Sequence, residues 1–567
     1  MDKKDVYNVT DLAVPFDVEC DMSSRMIPMR DGVRLHAMIY FPLKRPERTG
    51  VVLIRTPYCR TTWFQLPVAE ALQHRQIVMI QSCRGTAWSE GDWDPADTEL
   101  EFRDAEDTFA YLEKQDFYNG RCAMTGGSYP GWVQWAAARS GYEGLVALTP
   151  NVAPLTGCAG AALRGGGVQL SFAVNWMLSM YHRRKYGYAG VPDYNTMKTV
   201  WHTPVIDCDH AAAYPDVSAF RHFLRCADAP HHQLTAHQTH FSRMKAPALI
   251  SGGWFDGFLP DTIESFQRMQ SQAASEKARN FSRLVIGPWG HGGLLNPELF
   301  GVRNDRSQVI RWEIRFMYGL LRHPDRDPLP GKSAVHYFMI GENRWRDSEC
   351  WPPAGTQEQR WYLHSGGNAN TASGDGSITE SVPGVETPDC FVSDPAHPVL
   401  SNRGTHNSLG CYDRREEETR ADVLVYTMPV REKPLAVTGP VRLRFHAAVS
   451  APDTDFVVHL LDVTPDGRSL WLTDGVLRAR YRNGTEKAEL LVPNEITEFE
   501  VVLNDIAAAF LPGHALRIEL CGQNFPAYGR NPNTGNEYTT DPELRCAAVT
   551  VYHDAEHPAE LLLPVLP

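Results

Sequence analysis

The sequence predicts an α/β fold with a second, all-β domain, and three observations carry that expectation. Between residues 51 and 149, short apolar runs alternate with segments whose apolar residues recur at helical spacing, as in strands and helices wound into a parallel sheet. At 122–132, CAMTGGSYPGW, a buried-strand pattern turns through small residues directly into a helical one. Beyond about residue 332 the texture changes to short alternating runs separated by Gly-, Pro- and Asn-rich turns such as Pro532-Asn533-Thr534-Gly535, which reads as a β-sandwich.

In chain order, Met26, Ile27 and Met29 precede Arg30-Asp31-Gly32, and Val33, Leu35 and Met38 follow; Asp-Gly between two apolar alternations predicts a hairpin. A strand over 51–54 runs into Arg55-Thr56-Pro57-Tyr58. Pro57 stops it and leaves Tyr58 in the loop at its C-terminal end, where open α/β sheets keep their chemistry. A helix over 68–73 and a strand over 77–81 lead to the loop CRGTAWSEG, in which Arg84 and Glu90 either pair and brace the site or touch substrate. Phe102, Ala105, Phe109 and Leu112 share one face of a helix that feeds the strand before the glycine-rich bend. After a strand over 145–149 the alternation stops. Residues 150–244, rich in His, Tyr, Trp and Ala, read as a helical insertion over the active edge of the sheet. The sheet resumes with strands over 248–251 and 284–286, which end in GGWFDGF and GPWGHG. An amphipathic run over 309–321 either packs back on this part or forms a homodimer contact.

At 567 residues the chain is too long for one core. A formal charge of -13, with no dense Lys/Arg run, argues against nucleic acid as a partner. The first fourteen residues are polar and broken by charge, unlike a secretory signal, and no stretch has the apolar length of a membrane span. The expectation is therefore a cytoplasmic protein with no membrane partner. Twelve Cys stand singly with no CxxC pair, as buried thiols do in a reducing compartment.

A strand that bends sharply into a helix exposes one side chain at the helix's positive end, and here that side chain is Ser128. The usual nucleophile elbow has Gly two residues before and two after the Ser; Pro130 fills the second place, so the stretch alone also fits a capping Ser in a strand-to-helix turn. Asp256 and His291 supply what the bend lacks. A Ser hydroxyl becomes a nucleophile when an imidazole takes its proton, and the imidazole needs a carboxylate to fix its tautomer. The order Ser128, Asp256, His291, each just after a predicted strand, is that of the α/β-hydrolase fold. This chemistry calls for no cofactor. A different reading starts from His222, His231, His232, His237 and His240, with Cys208-Asp209-His210 nearby, as metal ligands. Against it stand the missing HExxH and the distance from any strand end; no metal is expected.

Six motifs, MRDGVRL, IRTPY, CRGTAWSEG, TGGSYPGW, GGWFDGF and GPWGH, occur in this order over nearly the whole chain, which thereby resembles the CocE/NonD group of serine hydrolases. That group is related to the X-prolyl dipeptidyl-peptidases, glutaryl acylases and α-amino acid ester hydrolases. The resemblance implies a catalytic α/β-hydrolase domain (1–149 and 245–331), a helical cap (150–244) and a jelly-roll domain (332–567). It also implies Ser128 as nucleophile, Asp256 as acid, His291 as general base, and an oxyanion hole made by the Tyr129 N–H and the Tyr58 hydroxyl. Phe258 matches an acyl-pocket position, and Trp132, Trp176 and Trp254 are candidates for further aromatic walls. The α-amino acid ester hydrolases carry acidic residues two and three places after the catalytic Asp, where this chain has Phe258 and Leu259. An apolar pair cannot satisfy a buried ammonium, so no strong preference for free α-amino substrates is expected. The expected activity is cleavage of a small-molecule ester through an acyl-enzyme. Amide cleavage of the acylase or X-prolyl dipeptidyl-peptidase type, and acyl transfer, are the alternatives. For the jelly roll, closure of the active site is favoured over sugar binding, since no exposed aromatic platform is evident.

Overall fold

The Asp31-Gly32 turn forms: Gly32 takes φ +87°, and β1 (Cys20–Pro28) pairs antiparallel with β2 (Arg34–Pro42) along its whole length. This hairpin is one edge of a 10-stranded sheet in the computed structural model, which describes residues 19–58, 65–95, 97–157, 163–186, 196–228, 240–293, 296–302, 305–401 and 410–567. In chain order the sheet then takes up β3 (Thr49–Thr56), β4 (Ile77–Ser82), β5 (Tyr118–Gly127) and β6 (Leu145–Asn151). A small hairpin, β7 (Leu163–Arg164) with β8 (Gly167–Val168), stands apart, and the sheet continues with β9 (Leu249–Phe255) and β10 (Arg283–Gly290). Every residue of β3, β4, β9 and β10 is buried, as parallel strands covered on both faces must be.

Two further strands, β11 (Val335–Met339) and β12 (Arg344–Ser348), complete the order β1-β2-β4-β3-β5-β6-β9-β10-β11-β12. They lie past the boundary expected at 331/332. Val335 pairs in parallel with Leu284, and the chain returns through Gly341 and Asn343, both at positive φ. An edge hairpin alternates just as a sandwich strand does, so only its pairing with β10 shows which sheet it joins.

Helices α1 (Gln65–Gln73), α2 (Thr98–Glu113) and α3 (Tyr129–Ala138) connect the strands. Helix Ser307–Arg322 buries Val309, Phe316, Met317 and Leu320 against the sheet, so the amphipathic run is used within the chain. Residues 357–566 carry a second, 13-stranded sheet folded on itself around Phe445, Phe456 and Phe499. The insertion is helical, with Leu170–Tyr186 and Ser218–Asp228 packed around Val174, Met177, Phe220 and Leu224. It is also fastened to the sandwich. Backbone N–H groups of Gly529, Ser171, Ile206 and Arg478 donate to the carbonyls of Val168, Pro526, Thr539 and Gly165 at 2.7–3.1 Å. Among the described residues, no helix is long and apolar enough to cross a membrane.

Candidate active site

Ser128 sits between the end of β5 and the first turn of α3 at φ +62°, ψ -128°, a conformation few non-glycine residues adopt. Its N–H donates to the Asn151 carbonyl at 2.9 Å, and its own carbonyl accepts from Gly131 and Trp132 at 2.8 and 2.9 Å. The unusual spacing in TGGSYPGW has a steric reason. A Cβ at Gly126 would lie 2.5 Å from the Pro130 Cβ, and one at Gly131 would lie 2.6 Å from the Ala153 Cβ. Pro130 is tolerated because it stands in the first turn of α3, where an N–H has no intrahelical acceptor. The close approach needing a glycine falls one residue later, at Gly131.

Asp256 follows β9 and His291 follows β10. The Asp256 carboxylate is buried, and both of its oxygens are engaged: Oδ1 accepts from the Phe258 N–H at 2.7 Å, and Oδ2 pairs with His291 Nδ1 at 2.7 Å. The half-buried His291 ring meets the Phe258 ring edge-on, with centroids 5.2 Å apart. Tyr58, beyond the end of β3, places its hydroxyl 3.5 Å from Ser128 Oγ. The Trp176 indole N–H donates to the Tyr58 oxygen at 3.3 Å, which uses a lone pair and leaves the phenolic hydrogen to another acceptor. Tyr129 opens α3, and its own hydroxyl points away from Ser128 to donate to Glu101 at 2.8 Å.

The aromatic residues divide. Phe172 stacks on Trp176 (5.9 Å) and meets Phe258 edge-on (5.6 Å), making one continuous wall with His291. Sequence reasoning missed Phe172, although its i, i+4 spacing to Trp176 on a helix was a usable signal. Trp132 is 2% exposed and lies edge-on against Tyr129, so it supports that ring rather than forming a wall. Trp254 also departs from the expectation: its indole donates to the Phe338 carbonyl and its ring packs on Trp351, within the core of the sheet. Glu313, also missed, accepts from the Ser251 hydroxyl (2.7 Å) and the Asn151 amide (3.3 Å), tying β6 to β9 behind Ser128. Burial pushes its carboxyl above the ordinary range, against the lowering influence of Arg306 and those two hydrogen bonds.

Arg84 and Glu90 do not pair with each other. Arg84 binds Asp104 at 2.6 Å and Asp31 at 2.9 Å, and Glu90 binds Arg34, so both brace the loop. Of the histidines considered as metal ligands, His231, His232 and His237 lie outside the described residues. His222 binds Asp94 at the surface. Asp207, Asp209 and His210 come close enough together to share an ion, but Arg221 already places its guanidinium within 3.0 Å of all three.

Residues 31–293 match the model of the X-Pro dipeptidyl-peptidase (S15 family), and residues 331–562 match that of the X-Pro dipeptidyl-peptidase C-terminal non-catalytic domain. The chain is 32% identical to the cocaine esterase of Rhodococcus sp. (strain MB1 Bresler), over 96% of this chain and 98% of that one. Two solved structures share its fold. An aminopeptidase from a marine sediment archaeon (Thaumarchaeota archaeon) is 24% identical with a TM-score of 0.82, covering 97% of each chain. An α-amino acid ester hydrolase is 23% identical with a TM-score of 0.80, covering 99% of each.

Proposed function

The chain belongs to the CocE/NonD family of serine hydrolases and acts on esters, and within that family we propose that it works through an acyl-enzyme formed on Ser128. The observation that carries this reading is what four strand ends present. A strained Ser128, an Asp256–His291 hydrogen bond of 2.7 Å and a Tyr58 hydroxyl 3.5 Å from Ser128 Oγ come from β5, β9–β10 and β3 respectively. With Nδ1–H held by Asp256, His291 presents Nε2 as the base that takes the Ser128 proton as Oγ attacks the ester carbonyl. Negative charge developing on the carbonyl oxygen is met by the Tyr58 hydroxyl and the Tyr129 N–H, in a setting where aromatic rings keep the dielectric low. His291 then protonates the leaving alcohol and activates the water that releases the acid.

Phe258, Phe172 and Trp176 favour an apolar acyl group, and Phe258-Leu259 gives a substrate ammonium no carboxylate partner. The substrate class is therefore an ester whose acyl part carries no free α-amine. The test is intact-mass analysis during turnover of p-nitrophenyl esters, with phenylglycine and phenylacetic methyl esters compared in steady state. An acyl adduct that Ser128→Ala abolishes, with the phenylacetic ester cleaved at least as well, is expected. Full activity in Ser128→Ala would end the acyl-enzyme reading, and a large preference for the amine-bearing ester would end the substrate assignment.

A further inference from the structure

The two proposed oxyanion donors stand on different elements: the Tyr58 hydroxyl on the loop after β3, and the Tyr129 N–H at the start of α3. Charge stabilisation of this kind depends on donors held to within about 0.5 Å of the working geometry, so something must set the distance between loop and helix. Beneath them lies a buried chain of side chains that joins one to the other. Arg55, three residues before Tyr58, is 0% exposed; its Nη2 meets Glu101 Oε2 at 2.8 Å, its Nη1 donates to the Glu101 carbonyl at 3.0 Å and its Nε to Gln81 Oε1 at 2.9 Å. The other Glu101 carboxylate oxygen, Oε1, accepts the Tyr129 hydroxyl at 2.8 Å, and Glu101 and Tyr129 are 5% and 0% exposed.

We infer that Glu101 is a positioning residue for the oxyanion hole, coupling the strand that carries Tyr58 to the residue whose N–H is the second donor. The inference rests on the acyl-enzyme reading above and names the part that aligns it. A carboxylate gripping a phenol is a charge-assisted bond, short and directional, and it fixes the Tyr129 side chain and with it the backbone at the N-terminus of α3. The pairing with Arg55 leaves no net charge beneath an oxygen that becomes negative. Packing alone does not explain the choice, because apolar residues of like volume stabilise a core as well as a buried ion pair does.

Tyr129→Phe removes one hydroxyl and leaves the ring, and Glu101→Gln removes the charge. With p-nitrophenyl acetate, each variant is expected to lower kcat about 10-fold with KM within about twofold, since the lost interaction acts on the transition state. Inhibition by phenylboronic acid, whose tetrahedral adduct places an oxygen in the hole, is expected to weaken by about the same factor while inhibition by benzoate is unchanged. If Glu101→Gln does not fold, Tyr129→Phe alone decides. A Tyr129→Phe enzyme with wild-type kcat and wild-type boronate affinity, whatever its melting temperature, overturns the inference. Ser128→Ala, run alongside, separates the two levels: full activity there removes the underlying mechanism, whereas an inactive Ser128→Ala with an unaffected Tyr129→Phe removes only the role of Glu101.

Discussion

Replacing Asp256 by Asn tests the proposed charge arrangement without removing an atom, and the structure fixes what the amide can do. Oδ1 of Asp256 accepts from the Phe258 N–H at 2.7 Å, so the amide oxygen of Asn must stay there and its NH2 must face His291. That forces His291 Nδ1 to accept and puts the proton on Nε2, where the ring can no longer take the Ser128 proton. The penalty for such a wrong tautomer is about 10,000-fold in kcat, or about 5.5 kcal/mol. The escape is an amide flip that sets NH2 against the Phe258 N–H. A buried donor facing a donor costs about 2 kcal/mol, so only about 3% of molecules adopt it, and the loss stays above about 30-fold even if every flipped molecule is fully active. The assay is the p-nitrophenol burst from p-nitrophenyl acetate between pH 6 and 9, with a melting curve to show that the fold survives. Burst amplitude and rate should fall together at pH 7. A kcat within threefold of wild type would refute the assignment of Asp256 as the group that orients His291.

Three other outcomes follow from the geometry. Ser128→Gly should melt above Ser128→Ala, because glycine relieves the positive φ that alanine must keep; the gain is about 1 kcal/mol, and equal melting temperatures would show that the bend is unstrained. In the sandwich, burial alone would lower the His553 imidazole, but hydrogen bonds to Asp389 and Glu386, both 2.9 Å, hold it above its ordinary value, while His553 helps hold both carboxyls below theirs against burial. A raised imidazole stabilises below its unfolded value near 6.5 and loses that stabilisation as pH climbs through the folded value; lowered carboxyls stabilise above about 4 and lose it on acidification. Melting temperature should therefore decline from about pH 6 to 8 in the wild type, more steeply than in His553→Gln; equal slopes would refute the linkage. Arg530 donates to the carbonyls of Trp201 in the cap (2.8 Å) and Pro395 in the sandwich (3.1 Å); Arg530→Met leaves both short of a donor, should cost about 2 to 4 kcal/mol and should speed proteolysis within the cap, and unchanged proteolysis would show that this arginine does not hold the cap.

The alternation of strands and helices, the hairpin at Asp31-Gly32 and the bend at Ser128 were legible because each depends on local chemistry: periodicity, a turn dipeptide, small residues at a tight corner. The places of Asp256 and His291 after β9 and β10 were legible because strand ends are visible in sequence, and their hydrogen bond is what the proposed acid and base roles build on. What escaped was whatever tertiary pairing decides. Nothing near Arg84 and Glu90 says that each binds another partner, Asp104 and Arg34. Trp254 looks like a pocket residue by its place near Asp256, but it still belongs to β9, where its indole is held by the Phe338 carbonyl and Trp351, whereas Asp256 lies past the strand end. Phe172, Glu101 and Glu313 lie on helices remote in sequence from Ser128, and only the folded chain brings them to it. The pairing of β11 and β12 escaped for a related reason, since an edge hairpin of one sheet and a strand of another look alike until their partners are known.

Apart from Asp256, three groups of charged and polar side chains lie beneath the elements that form the pocket. Arg55 with Glu101 stands under the Tyr58 loop, and Glu313 under the strand that holds the Ser128 N–H. Arg164, ion-paired to Asp261, reaches the carbonyl of Gly257, the residue after Asp256, at 3.3 Å. The two ion pairs, Arg55–Glu101 and Arg164–Asp261, add little net stability, because desolvation offsets most of their attraction, but breaking one leaves an uncompensated buried charge. What they supply is a penalty for misalignment: a strand end that slides breaks a directional bond where an apolar contact would merely slip. The pocket above them is aromatic, and there the opposite property is useful. In the proposed mechanism, donors beside such rings act on the carbonyl at low dielectric. The half therefore divides its labour by depth, with charge below to fix geometry and apolar surface above to strengthen the few polar groups left facing substrate. On this argument, changes in the aromatic wall of Phe172, Trp176 and Phe258 alter which acyl group is accepted. Changes in the buried pairs alter how fast any acyl group reacts.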